Sequence, residues 1–352
     1  MEGNKLGTMP ISKLIWNMSL PIIVSMLVQA LYNIVDSVFV SRICEQALTA
    51  VSLAFPAQNL MIGLATGTAV GVNALMGRAL GAGEHERANH IATNGVFLAG
   101  VGFAICAILA AFFARMFFAA QTSIDYIVDN GATYLRICCC ASLGLFAEIM
   151  FERLLQSTGR SILSMYTQGL GAIVNIILDP IMIFGLFGFP EMGVRGAALA
   201  TMLAQLASFV VCLAYVLKHK DLFGLARKAL RMHRDKLGHM LKLGIPCAVQ
   251  MTVVGLSWLA MTFLINQYGV EASAASGICA KIKDVALLCT LALYTAATTM
   301  VAQCLGAKKF DRASRVVHVA MRISLSVTAV LIVLVELFAP QLLAIFHPDA
   351  VT

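Results

Sequence analysis

Two aspartates lie inside long apolar runs, where an acid is expensive to hold: Asp36 in YNIVDSVFV and Asp179 in NIILDP. Asn175 precedes Asp179 by four residues and so shares a helix face with it. Asp36 falls about six residues, ~9 Å, before the far end of the first run, and Asp179 about nine residues, ~13 Å, before the end of the fifth. Thr201, in the sixth, is about as far from Arg195 as Asp36 is from Arg42. If the first and fifth runs cross outward and the sixth returns, all four groups reach a comparable depth in the outer half. One shared site of Asp36, Asn175, Asp179 and Thr201 is expected. As oxygen ligands they suit a hard cation such as sodium, and two close acids in a low-dielectric setting alternatively form a proton carrier. A third reading leaves both acids satisfying backbone groups, since Pro180 interrupts the hydrogen bonding of its helix. Tyr32 and Asn33, four and three residues before Asp36, are candidate supports for it, with ordinary helix–helix hydrogen bonds as the alternative.

Such residues need long helices to position them. Of 352 residues, 60% are hydrophobic and only 12% charged, against about a quarter charged in a soluble domain. The composition excludes soluble, disordered, collagen-like and disulfide-stapled classes. Apolar runs place nine membrane-spanning helices at 14–41, 48–77, 90–119, 132–157, 163–187, 194–217, 239–266, 274–303 and 314–345. The fold class is an all-α integral membrane helix bundle; the runs are too long and continuous for a β-barrel. No small-residue cleavage site follows the first run, which is expected to stay as a helix. The ten cysteines form no CxxC and read as small buried hydrophobes.

Most Lys and Arg lie on the side where the chain begins: Lys5, Lys13, Arg78, Arg87, Arg153, Arg160, the cluster Lys218 to Lys242, and Lys308 to Arg315. The positive-inside rule then makes the N-terminus cytoplasmic, in the plasma membrane. The net charge of +7 needs no nucleic-acid partner, because the 218–242 cluster reads as a linker near anionic lipid headgroups.

Sliding the chain against itself by 225 residues places Pro21 on Pro246, Ala47 on Ala272, Leu80-Gly81-Ala82 on Leu305-Gly306-Ala307 and Arg87-Ala88 on Arg312-Ala313. Two lobes of the same orientation follow: a six-helix lobe over 1–217, a basic linker over 218–238 and a partial lobe of three helices over 239–352. Parallel repeats of this kind recur in secondary transporters. A repeat of six helices is expected to need three more, so the chain reads as a cropped or fragmentary second lobe.

The sequence resembles the multidrug and toxic compound extrusion (MATE) family. LPIIVSMLVQALYNIVDSVFVSR, AVSLAFPAQNL, RALGAG, LLQSTGRS, NIILDPIMIFG and GVRGAALAT carry the resemblance along the whole chain. It implies twelve helices in two lobes around a central cleft, exporting cationic and amphipathic compounds against inward proton or sodium flow. It also implies that Asp36, Asn175, Asp179 and Thr201 are the cation site. The absent last three helices depart from that pattern. No cofactor is expected beyond the coupling ion, H+ or Na+, and a monomer is expected.

Other polar residues within spans carry less. Glu148, Glu152 and Arg153 read first as an interface-anchored salt bridge and second as a gate. Lys281, Lys283 and Asp284 face either the cleft or, by snorkelling, the membrane surface. Glu336 has no assignment, and Gln250, Asn266 and Gln267 leave the seventh span without an acid. Eighteen methionines and nineteen phenylalanines suit an adaptable cavity, but generic membrane packing explains them better. The closest rival function is a flippase for lipid-linked saccharides, which several cleft arginines would favour. An intramembrane prenyltransferase would need a DDxxD-like cluster, which the chain lacks, and no enzyme activity is expected.

Overall fold

In the structure, a computed structural model, residues 9–43, 45–218, 234–268 and 270–344 are described. All regular structure among them is helical: α1 Ile11–Ser41, α2 Glu45–Gly81, α3 His85–Ala119, α4 Asp125–Cys140, α5 Leu143–Ser157, α6 Ser161–Phe184, α7 Val194–Lys218, α8 Arg234–Asn266, α9 Val270–Gly306, α10 Phe310–Leu337 and α11 Ala339–Ala344. Eight of these helices are long and apolar enough to cross a membrane, and the bent pair α4 and α5 passes as a ninth. The chain is a multi-pass membrane protein. Large side chains such as Phe112, Met116 and Leu325 stand exposed around the bundle, as lipid-facing residues do.

Three expected spans change shape. The fourth, expected as one helix over 132–157, is α4 and α5, bent by 45°. No proline marks the break; the Ser142 hydroxyl instead donates to the Cys139 carbonyl at 2.7 Å and competes with the helical ladder there. The fifth ends at Phe184 rather than 187, because Gly185 turns left-handed with φ 70°. The ninth stops at Leu337, ahead of the short helix α11 that contains Pro340. The expected linker over 218–238 falls mostly on 219–233, outside the described residues, and its last five residues are already the start of α8.

Two buried clusters hold the bundle. The larger runs through α2 to α7, with Met76, Phe118, Phe146, Phe151, Leu154 and Ile183 at its centre. The second joins the beginning of α1, through Leu14, Ile15, Met18 and Ile22, to Ala292, Leu293, Ala296 and Met300 of α9 and to Val316 of α10. The alanines let the helices approach closely, which is how helices associate where lipid removes the hydrophobic drive between them. Thus α1 packs its first half on the second lobe, while its remainder carries Asp36 along α6 of the first.

Candidate functional site

The first lobe encloses a polar cleft between α1, α5, α6 and α7. It is narrow, and its polar walls are Tyr32, Glu148, Gln168, Asn175, Thr201, Gln205 and Ser208. Helical spacing builds it. On α6, Gln168, Gly171 and Asn175 fall on one face, and on α7 Thr201, Gln205 and Ser208 repeat the same three- and four-residue steps. Gly171 brings the two stripes together, since a Cβ there would meet the Ser208 hydroxyl.

At one end of the cleft Asn175 is the hub. Its Nδ2 donates to Asp179 Oδ1 at 3.3 Å and to Thr201 Oγ1 at 3.4 Å. The Thr201 hydroxyl in turn donates to the Ala197 carbonyl at 3.0 Å. Asn175 is 1% exposed and Asp179 0%. Asp36 is not hydrogen-bonded to these three, but lies near enough for its charge to act on Asp179. Also near Asp36 is Tyr134 of α4, whose hydroxyl accepts a 3.3 Å hydrogen bond from Gln58 Nε2.

Four oxygens here are fit for a cation. Asp36 Oδ1, Asn175 Oδ1 and Asp179 Oδ2 are buried with no hydrogen-bond donor, and Thr201 Oγ1 has spent its only proton on Ala197. Buried acceptors left without donors are costly, and a hard cation or a proton removes that cost. Among the described residues no three His, Cys, Asp or Glu side chains gather into a transition-metal site. The donor set is one of oxygens.

Of the candidate supports, Tyr32 points into the cleft beside Gln29 and Gln205. Asn33 is exposed, and only its backbone carbonyl is engaged, by the Ser37 hydroxyl at 2.9 Å. The interface salt bridge expected of Glu148, Glu152 and Arg153 is absent among the described residues. Glu148 is 8% exposed and faces the cleft, Glu152 accepts from Gln156 at 2.9 Å and from Gln168 at 3.3 Å, and Arg153 donates to Gln156 at 3.0 Å. Lys283 and Asp284 form an exposed pair at 3.5 Å; the side chains of Lys281 and Asn266 lie outside the described residues. Gln205, Ser208 and Gln168 are cleft residues that no single-residue reading identifies, although the stripe from Thr201 through Gln205 to Ser208 is visible as a periodicity.

Thr201→Val keeps the volume and removes the hydroxyl. Cation affinity is expected to fall about three- to tenfold, the equivalent of one hydrogen-bonding group of about 1 kcal/mol. Isothermal titration of the purified chain with sodium, and with acid, checks it.

Parallel-repeat helix bundles recur among membrane transporters. The MatE family model matches residues 21–181 and 246–351, and the chain belongs to the MATE family of membrane transporters. It is 31% identical over 339 residues to a probable multidrug resistance protein of Bacillus subtilis, YoeA, covering 94% of this chain and 73% of that one. It is 27% identical over 347 residues to an FAD transporter of Shewanella oneidensis, covering 97% and 75%. Its fold matches an outward-facing MATE family transporter with a TM-score of 0.89 at 24% identity, over 99% of this chain and 77% of that one. A transporter of the same superfamily from Pyrococcus furiosus gives a TM-score of 0.91 at 24% identity, over 100% and 77%.

Proposed function

We propose that this transporter exports cationic and amphipathic compounds by antiport against protons or sodium, acting as a monomer in the plasma membrane with its N-terminus cytoplasmic. The observation that carries the reading is the set of donor-less buried oxygens on Asp36, Asn175 and Asp179 beside Thr201. Occupancy by H+ or Na+ satisfies them and brings α1, α6 and α7 together. Loss of the ion leaves two buried carboxylates uncompensated and biases the lobe toward another arrangement. A ligand shifts such an equilibrium only by its differential affinity for the two states, and these three helices provide that difference. The orientation rests on the basic residues around Arg78, Arg87, Arg153, Arg160 and the 218–242 cluster. The multidrug resistance name of the Bacillus relative supports the substrate class.

The test is efflux of a lipophilic cationic dye from proteoliposomes holding the purified chain, under a proton gradient, a sodium gradient, or neither. Dye movement against its gradient is expected with one of the two ions and not without. Gradient-independent equilibration would sink the reading.

A further inference from the structure

Besides the packing of α1 on α9 and α10, the two lobes meet along α2, with the glycine contacts in the half of that helix nearest its cytoplasmic end. Gly63 faces Met251, while Gly67 and Gly71 admit the backbone of α8 at Ala248 and Met240. Below these, α2 crosses α9. A Cβ at Gly81 would fall on the Gln303 carbonyl oxygen, and a Cβ at Gly306 on that of Arg78. A Cβ at Gly77 would meet that of Ala302 at 3.1 Å. Shifting by one 225-residue repeat turns 81 into 306, 78 into 303 and 77 into 302, so the contact of Gly81 with Gln303 and that of Gly306 with Arg78 are the same contact made twice, and Gly77 meets its own equivalent. The repeat therefore meets itself about a local two-fold axis, and the glycine of each LGA is what lets the two backbones touch.

Two buried amide contacts close over this crossing. Asn73 Nδ2 donates to Thr299 Oγ1 at 3.1 Å, and Gln303 Nε2 donates to the Ser157 carbonyl at 2.6 Å. Ser157 ends α5, a helix of 15 residues, about 22 Å long. The same helix presents Glu148 to the polar cleft, and its Glu152 is bonded both to Gln156, the neighbour of Ser157, and to Gln168 of the cleft wall. One helix thus touches the cation cleft at its middle and the opposite lobe at its end.

We propose that Gln303 is the latch of the cytoplasmic gate at the α2–α9 crossing, holding it shut by tying α9 to the end of α5. The proposal rests on the orientation and transport reading above. Opening inward requires Gly81 to leave Gln303 and Gly306 to leave Arg78 together, because the two contacts share one axis. The Gln303 amide holds them shut. Rearrangement of the cleft reaches the gate as a displacement of Ser157, the acceptor of that amide. Coupling of this kind needs an element with two arrangements that both sites bias, and the crossing supplies it.

Two measurements test the gate. In inside-out vesicles, Ala302→Cys is expected to be protected from a membrane-impermeant maleimide, and adding Gln303→Ala to raise its labelling rate at least about fivefold; equal rates would overturn the latch. Gly77→Cys with Ala302→Cys places two Cβ atoms within a few tenths of an ångström of disulfide spacing. Oxidation is expected to link them, read by mass spectrometry, and to slow dye efflux at least about tenfold, with recovery on adding dithiothreitol. A linked protein that exports at the unlinked rate overturns the gate. Loss of export in the unlinked protein as well, and in the unsubstituted chain, would count against the transport reading, and the labelling comparison would still decide the latch.

Discussion

Asp179→Asn is expected to abolish ion-driven efflux while leaving the chain folded. The substitution is nearly isosteric, and one oxygen survives to accept from Asn175 as Asp179 Oδ1 now does at 3.3 Å. What changes is the other atom. Asp179 Oδ2, buried and without a donor, becomes an amide NH2 that carries no charge and presents hydrogens where an oxygen stood. A cation loses a charged ligand and gains a donor in its place. The loss of one charge-assisted contact, about 1.5–3 kcal/mol, corresponds to a fall of about ten- to 150-fold in ion affinity. Asp36→Asn is expected to have a smaller effect on affinity, because Asp36 stands outside the hydrogen-bonded triad of Asn175, Asp179 and Thr201. The check is ion-driven dye efflux together with a thermal melt of each variant in detergent. Unchanged efflux in both, with unchanged melting, would remove the carboxylates from the coupling step.

The triad was legible because its signals are local and strong. An acid in an apolar run is conspicuous, a four-residue step puts Asn175 beside Asp179, and counting residues from the ends of the spans sets Thr201 at the same depth. Gln205, Ser208 and Gln168 are equally local but weak, since a lone Ser or Gln in a membrane helix is ordinary and only the stripe is informative. Glu148 was hidden for a different reason. Whether it faced lipid headgroups or the lobe interior depended on the bend between α4 and α5, and no proline marks that bend in the sequence. The repeat carried further than its role in lobe counting. Its 225-residue register pairs Gly81 with Gly306, and the structure brings these two glycines to one crossing. That each meets the backbone of the other repeat, at Gln303 and Arg78, depends on the two-fold relation of the lobes, which no single segment encodes.

Gly196→Val is expected to damage both stability and ion binding, because this glycine sets the distance between the two helices that hold the triad. A Cβ at Gly196 would meet the Met182 carbonyl, and it would stand 2.9 Å from the Ile183 backbone nitrogen. Those are main-chain atoms of the last turn of α6, which cannot rotate aside as a side chain would. The turn between α6 and α7 is already bonded back onto the same residues, with Met192 N donating to the Met182 carbonyl and Gly193 N to that of Ile183, each at 3.1 Å. The strain must therefore open α6 from α7. Met182 is three residues past Asp179, and Thr201 five past Gly196, so the opening falls at the site itself. The Asn175 to Thr201 contact, at 3.4 Å, has no length to spare before it ceases to be a hydrogen bond. Overpacking of this type costs about 1–3 kcal/mol, and the lost contact about 1 kcal/mol more in ion affinity. A lowered melting temperature and an ion affinity reduced about fivefold or more are expected. Gly169→Ala is the control: it lies on the same α6, and nothing stands within 4 Å of its added Cβ. Gly169→Ala is expected to be neutral or to stabilise the helix by up to about 1 kcal/mol. If both variants lower ion affinity equally, the spacing of α6 and α7 at Gly196 is not what positions Asn175 against Thr201.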